Sequence, residues 1–215
     1  MNAHLADMLA DTTAHRSGGR IGGVVIGVVT KNKDEEGLNR VAVQFPWLGQ
    51  NIECWARVAA PMAGNDRGMY FFPEPQDEVL VMFERGDVRF PFVIGALWNG
   101  KDEPPVSGDD AQDNNVRMIK SRSGHVIKLN DKDGEETVEI VDNANNSIVI
   151  DTKNSTITIS SGKNIALSAP DGKISLTAQV VEVKSSATMT IHADGDMEAS
   201  AGGQLKLAGG RVDIN

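Results

Sequence analysis

Cysteine is almost absent from this 215-residue chain: Cys54 stands alone, so no internal disulfide can staple the fold. Flanked by Ile52 and Trp55, it reads as a small residue beside a core rather than a reactive thiol. No run approaches the roughly 18 apolar residues of a membrane-spanning helix, and residues 1–19 lack the continuous apolar stretch of a signal peptide. Synthesis in the cytoplasm without a signal peptide is the resulting expectation. Surplus positive charge is missing as well. Lys and Arg number 21 against 30 Asp and Glu, a formal net charge of -9, which disfavours free nucleic acid as a partner.

The signatures of catalysis are equally scarce. His4, His15, His125 and His192 have no ligand partners at metal-binding spacing, and neither a GxSxG elbow nor a phosphate-cradling loop is present. Neighbouring acids such as Asp194 with Asp196, or Glu74, Asp77 and Glu78, sit in turn-like contexts rather than as two carboxylates held across a cleft. No catalytic residue, metal site or cofactor is expected.

The most informative absence is regional. All ten aromatic residues lie between Phe45 and Trp98, and none follows. One chain therefore builds two kinds of core. Residues 1–19 carry Leu5, Met8 and Leu9 at helical spacing and read as an arm or short helix. Residues 20–99 read as short strands with Gly- and Pro-rich turns, including the alternating Val41, Val43, Phe45 and Val79, Val81, Phe83, which point to a small antiparallel barrel. Phe45, Trp47, Trp55, Tyr70 and Trp98 are the expected barrel core or assembly contacts. Residues 100–120 read as a linker into a stem.

Residues 121–215 repeat. Apolar residues recur as i,i+2 pairs: Ile148 and Ile150, Ile157 and Ile159, Ile165 and Leu167, Ile174 and Leu176, Val181 and Val183, Met189 and Ile191, Met197 and Ala199, Leu205 and Leu207, Val212 and Ile214. First members lie 7 to 9 residues apart, separated by Gly, Asn, Asp, Ser, Lys and Thr. Each pair puts two apolar side chains on one face of a very short strand. An octad is too short for a single-chain β-helix coil, which takes roughly 20 residues or more. A prism with three chains each supplying one wall is the simple solution, and its narrow interior admits aliphatic residues but no rings. The expected architecture is thus all-β, an N-terminal barrel followed by a trimeric intertwined triangular β-helix with those pairs at its core. Val212, Ile214 and Asn215 are expected to meet a tip cap.

Several stretches also resemble a known family. Arg40-Val41-Ala42-Val43-Gln44-Phe45-Pro46-Trp47, Asp77-Glu78-Val79-Leu80-Val81, and Pro91-Phe92-Val93-Ile94-Gly95-Ala96-Leu97-Trp98-Asn99-Gly100 resemble the OB-fold domain of phage baseplate assembly protein V and of VgrG-type spikes. Ser123-Gly124-His125-Val126-Ile127-Lys128-Leu129-Asn130-Asp131 resembles the opening of the spike stem. Gln76 stands where the family carries a turn glycine. The resemblance implies a structural homotrimer in a contractile injection system or phage tail baseplate, bound to a separate hub protein and a PAAR-type tip protein, and driven mechanically through a target membrane. The rival readings are a carbohydrate-binding or depolymerising receptor-binding tail spike, which an aromatic-free stem disfavours, and an isolated OB adaptor.

Overall fold

The computed structural model describes residues 20–48 and 53–213. The chain divides into two compact units at Lys163/Asn164. The first begins with β1 (Val24–Lys31), β2 (Arg40–Gln44), β3 (Glu53–Val58), a two-residue pair β4 (Ala63–Gly64) and β5 (Arg67–Gly68), then β6 (Glu78–Phe83) and β7 (Pro91–Leu97). It continues through a single helical turn, α1 (Asp109–Gln112), into β8 (Val116–Lys120), β9 (Val126–Asn130), β10 (Thr137–Val141), β11 (Ser147–Asp151) and β12 (Thr156–Ser160).

The first five long strands close on themselves in the order β1-β2-β3-β7-β6. Period-2 alternation explains the inside of this barrel: Val29, Val41, Val43, Val79, Val81 and Val93 are buried together around Phe45. Phe45 meets the Phe83 ring with centroids 5.9 Å apart in a tilted arrangement. The wall packs so closely at Gly27 that a side chain there would collide with Val43 Cγ1. Gly86, with φ +79°, turns the chain under Ile21, whose N–H donates to the Gly86 carbonyl at 3.0 Å.

Val116–Ser160 forms a second sheet, a five-stranded meander in the order β12-β11-β10-β9-β8 with every neighbour antiparallel. One residue per connection takes the left-handed conformation: Gly124, Gly134, Asn145 and Ser155. Two connections are laced by aspartates. Asp142 accepts from the Ala144 and Asn146 backbone N–H groups, and Asp151 from that of Asn154.

The expected fold class is corrected in two respects. The barrel is not purely antiparallel, because it closes through a parallel β3–β7 seam that pairs Arg57 with Phe92 and Val58 with Val93. A single helical turn, α1, interrupts the otherwise β architecture. The trimeric intertwined triangular β-helix is overturned for its first part: residues 116–160 pair with their own sequence neighbours instead of supplying one wall per level. The connections explain why. Six, five and four residues separate β9 from β10, β10 from β11, and β11 from β12, enough for each chain reversal to be made locally. In the second unit the apolar pairs crowd to 7–9 residues, and among its described residues no strand is formed.

Candidate functional site

The meander sheet has an unusual distribution of side chains. Its in-register pairing aligns Ile119, Ile127, Ile140, Ile148 and Ile159 as one row, and Leu129, Val138, Ile150 and Ile157 as the next. Both rows lie on the same face, since the residues are two apart along each strand. All nine side chains are exposed, from Val138 at 38 % to Ile157 at 71 %. Arg117 opposes Leu129 and interrupts the second row at β8; it pairs with Asp131 at 3.4 Å.

The opposite face carries Lys128 against Glu139, joined at 3.3 Å, with the Thr137 hydroxyl donating to Glu139 at 2.7 Å. A sheet normally buries its apolar face and wets its polar one. Here no second layer covers the apolar rows among the described residues. Burying a branched aliphatic side chain fully is worth about 1.5–3 kcal/mol, so completing the burial of these half-exposed groups is worth roughly 1 kcal/mol each. Covering that surface would therefore favour association.

In the second unit apolar residues also alternate with polar ones along the chain. Ile165, Leu167, Ile174, Leu176, Val181, Val183, Met189, Ile191, Leu205, Leu207 and Val212 are all exposed. The polar residues around them form i,i+2 side-chain pairs: Glu182 with Lys184 at 2.9 Å, His192 with Asp194 at 3.2 Å, and Arg211 with Asp213 at 2.8 Å. Ile214 and Asn215 lie outside the described residues, as do residues 1–19.

Of the aromatic residues expected in the barrel core or at a hub contact, the structure buries Phe45 and half-buries Trp55. Trp47, Tyr70 and Trp98 are exposed, the last two at 74 % and 69 %. Tyr70 stacks flat on Phe72 with centroids 5.5 Å apart, beside exposed Met62, Met69 and Phe71. Together with Val58 they line a hollow of about 610 Å³ under the β4–β5 pair. Sequence reading missed Met62, Met69 and Phe71 as a surface patch; the Pro73-Glu74-Pro75 segment that follows was the available signal that this stretch leaves the sheet.

Electrostatics in the barrel serve its loops. Two hydrogen bonds from Arg40, each at 2.9 Å, hold the Asp34 carboxyl well below the usual carboxylate range. Arg89 does the same for Asp87, brought down to about 2. Burial, with the neighbouring Glu53 charge, pushes the Cys54 thiol up to about 12, which keeps it unreactive. The His125 ring accepts from the Asn143 backbone N–H through Nδ1 at 3.3 Å, a structural contact between two turns. Among the described residues no three His, Cys, Asp or Glu side chains converge to hold a metal ion.

A closed barrel is thus joined to a sheet whose aliphatic face is uncovered among the described residues. Residues 25–98 match the family described as the type VI secretion system/phage-baseplate injector OB domain. The chain is 33 % identical over 108 residues to the type VI secretion system spike protein VgrG5 of Pseudomonas aeruginosa, a stretch covering 46 % of this chain and 14 % of that protein. It is 28 % identical over 127 residues to spike protein VgrG1c of the same organism, covering 54 % and 18 %. To spike protein VgrG3 of Vibrio cholerae it is 27 % identical over 111 residues, covering 48 % and 11 %. The likeness is thus to the type VI secretion system/phage-baseplate injector OB domain over residues 25–98, and to VgrG-type spike proteins over about half of the chain. The chain spans less than a fifth of the length of these curated relatives.

Proposed function

We propose that this chain is a structural central spike of a contractile injection system or phage tail baseplate, acting as a homotrimer rather than as an enzyme. It is made in the cytoplasm and carried in an assembled tail or injection particle. The exposed Trp47, Tyr70 and Trp98 face a separate hub protein. At the other end of the chain Val212, Ile214 and Asn215 meet a PAAR-type tip protein. The assembled stem pierces the target envelope mechanically.

The observation that supports this reading is the pair of aliphatic rows left without a second layer on β8–β12, continued by the exposed pairs of residues 165–212. A single chain offers nothing to cover them among its described residues, whereas copies of itself offer matching rows. The absence of rings and carboxylate clefts on this surface favours mechanical use over glycan hydrolysis.

Sedimentation of the purified chain tests the reading. A threefold assembly is expected, and Ile140→Glu, which places a carboxylate in mid-row, is expected to shift it to smaller species while the barrel stays folded. A compact monomer at all concentrations would defeat the proposal.

A further inference from the structure

The outer side of β2, β3 and β7 carries a groove of about 530 Å³ that shares no residue with the aliphatic rows or with Trp47, Tyr70 and Trp98. Strand register sets two cations side by side on its floor, Arg40 of β2 directly opposite Arg57 of β3. Like charges in that position destabilise a sheet. On the Arg40 side the repulsion is offset within the chain, because its guanidinium donates to Asp34 and Glu36 at 2.9 Å. The third arginine of the groove, Arg89, donates to Asp87 at 2.6 Å. Arg57 is different. It is exposed, and among the described residues no carboxylate pairs with it.

A ring holds Arg57 instead. Its guanidinium lies over Phe92, the residue opposite it across the parallel seam, at 5.3 Å. Trp55, two residues earlier on the same face of β3, adds a second ring, and Phe90 and Pro91 extend the apolar floor. A guanidinium stacked in this way is fixed in orientation and keeps its edge donors for a planar acceptor, which a carboxylate matches. A nucleic-acid backbone fits less well. It is held by several unneutralised cations along a groove. Here two of the three arginines are already neutralised, and Glu36 and Glu84 also line the groove. The groove therefore offers one anion position beside an apolar one.

We propose that this groove docks an acidic segment of a partner protein. One carboxylate of the segment takes the open fork of Arg57, and a neighbouring apolar side chain lies on Trp55 and Phe92. The inference rests on the barrel alone and is independent of the threefold assembly.

Indole NMR of the full-length chain tests this, because of its three tryptophans Trp55 alone lines the groove. The probe is a short peptide alternating glutamate with leucine. Titration is expected to shift the Trp55 indole N–H signal and to leave those of Trp47 and Trp98 in place. Replacing the glutamates of the peptide by glutamine is expected to weaken binding about 2- to 5-fold, the range of one exposed ion pair. Arg57→Gln is expected to weaken the glutamate peptide by the same factor and to leave the glutamine peptide unchanged, with Arg57→Lys in between. A Trp55 signal that the glutamate peptide does not move, equal affinity for the two peptides, or indifference to Arg57→Gln would overturn the proposal. So would oligothymidylate binding more tightly than the glutamate peptide, which would assign the groove to nucleic acid. A Trp55 signal that shifts with protein concentration alone would assign it to another copy of the chain and equally overturn it.

Discussion

The barrel and the meander sheet use the same local rule, alternation along a strand, and reach opposite outcomes. In the barrel the apolar side chains of β2 and β6 point into a closed interior and are fully buried around Phe45. In the sheet the same kind of residue points outward over five strands. The difference lies in closure. Five strands that return to the first enclose a volume, whereas five strands laid flat leave one face for something else. Regular strands therefore do not by themselves make a self-sufficient unit; the path that joins their edges decides it.

The sharpest way to separate the two regions is to empty the enclosed one. Phe45→Ala removes the ring at the centre of the barrel and is expected to cost about 3–5 kcal/mol of barrel stability, read by denaturant unfolding. A loss below about 1 kcal/mol would mean that the barrel draws its stability from outside contacts.

Acid acts on carboxyls of both regions. The carboxyls of Asp87 in the barrel and of Asp142 and Asp151 in the sheet turns are all depressed, Asp87 by its bonds from Arg89, Asp142 by those from Asn146, and Asp151 by those from Asn154. A depressed carboxyl favours the fold above its ordinary value near 3.8 and loses that contribution as pH falls through the folded-state value. The Asp87 contribution is thus expected to vanish between about 3.8 and about 2, and the turn aspartates to begin protonating below 3.8. Amide and carboxyl NMR titrations read each site. A turn aspartate titrating at or above its ordinary value would remove the lacing assigned to that connection.

The smallest effect concerns the link between barrel and sheet. Arg122 pairs with Glu74 at 3.0 Å, and Glu74 also accepts from Asn32 at 3.3 Å. Both partners of the ion pair are largely exposed, so Glu74→Ala is expected to change stability by no more than about 1 kcal/mol in low salt and by less in high salt. A larger loss would show that the barrel and the sheet stabilise each other through this strut.

Much of this was legible in the residues themselves. Val79, Val81 and Phe83 announce β6, and the pairs Ile127–Leu129, Val138–Ile140, Ile148–Ile150 and Ile157–Ile159 coincide with β9 to β12. Their pairing partners were not legible, because alternation gives a strand its faces but no neighbour. The parallel β3–β7 seam joins segments separated by the whole β4–β6 stretch, and no local pattern announces it. The aromatic residues were expected in the core or at a partner contact, and residue type alone did not say which of them, such as Tyr70 and Trp98, stand on the surface. The stacking of Arg57 on Phe92 was invisible for the same reason as the seam, since it exists only once Phe92 is brought beside β3.

The aliphatic rows have one further property. Row by row they are nearly uniform, so a molecule resting on them could slide by one strand, about 4.8 Å, and meet almost the same contour again. Arg117, at the β8 margin, is the single cation set into that contour. A slip that carried a greasy neighbour over it would strip water from a charge, so this one residue acts as the zero mark that fixes the phase of whatever packs there.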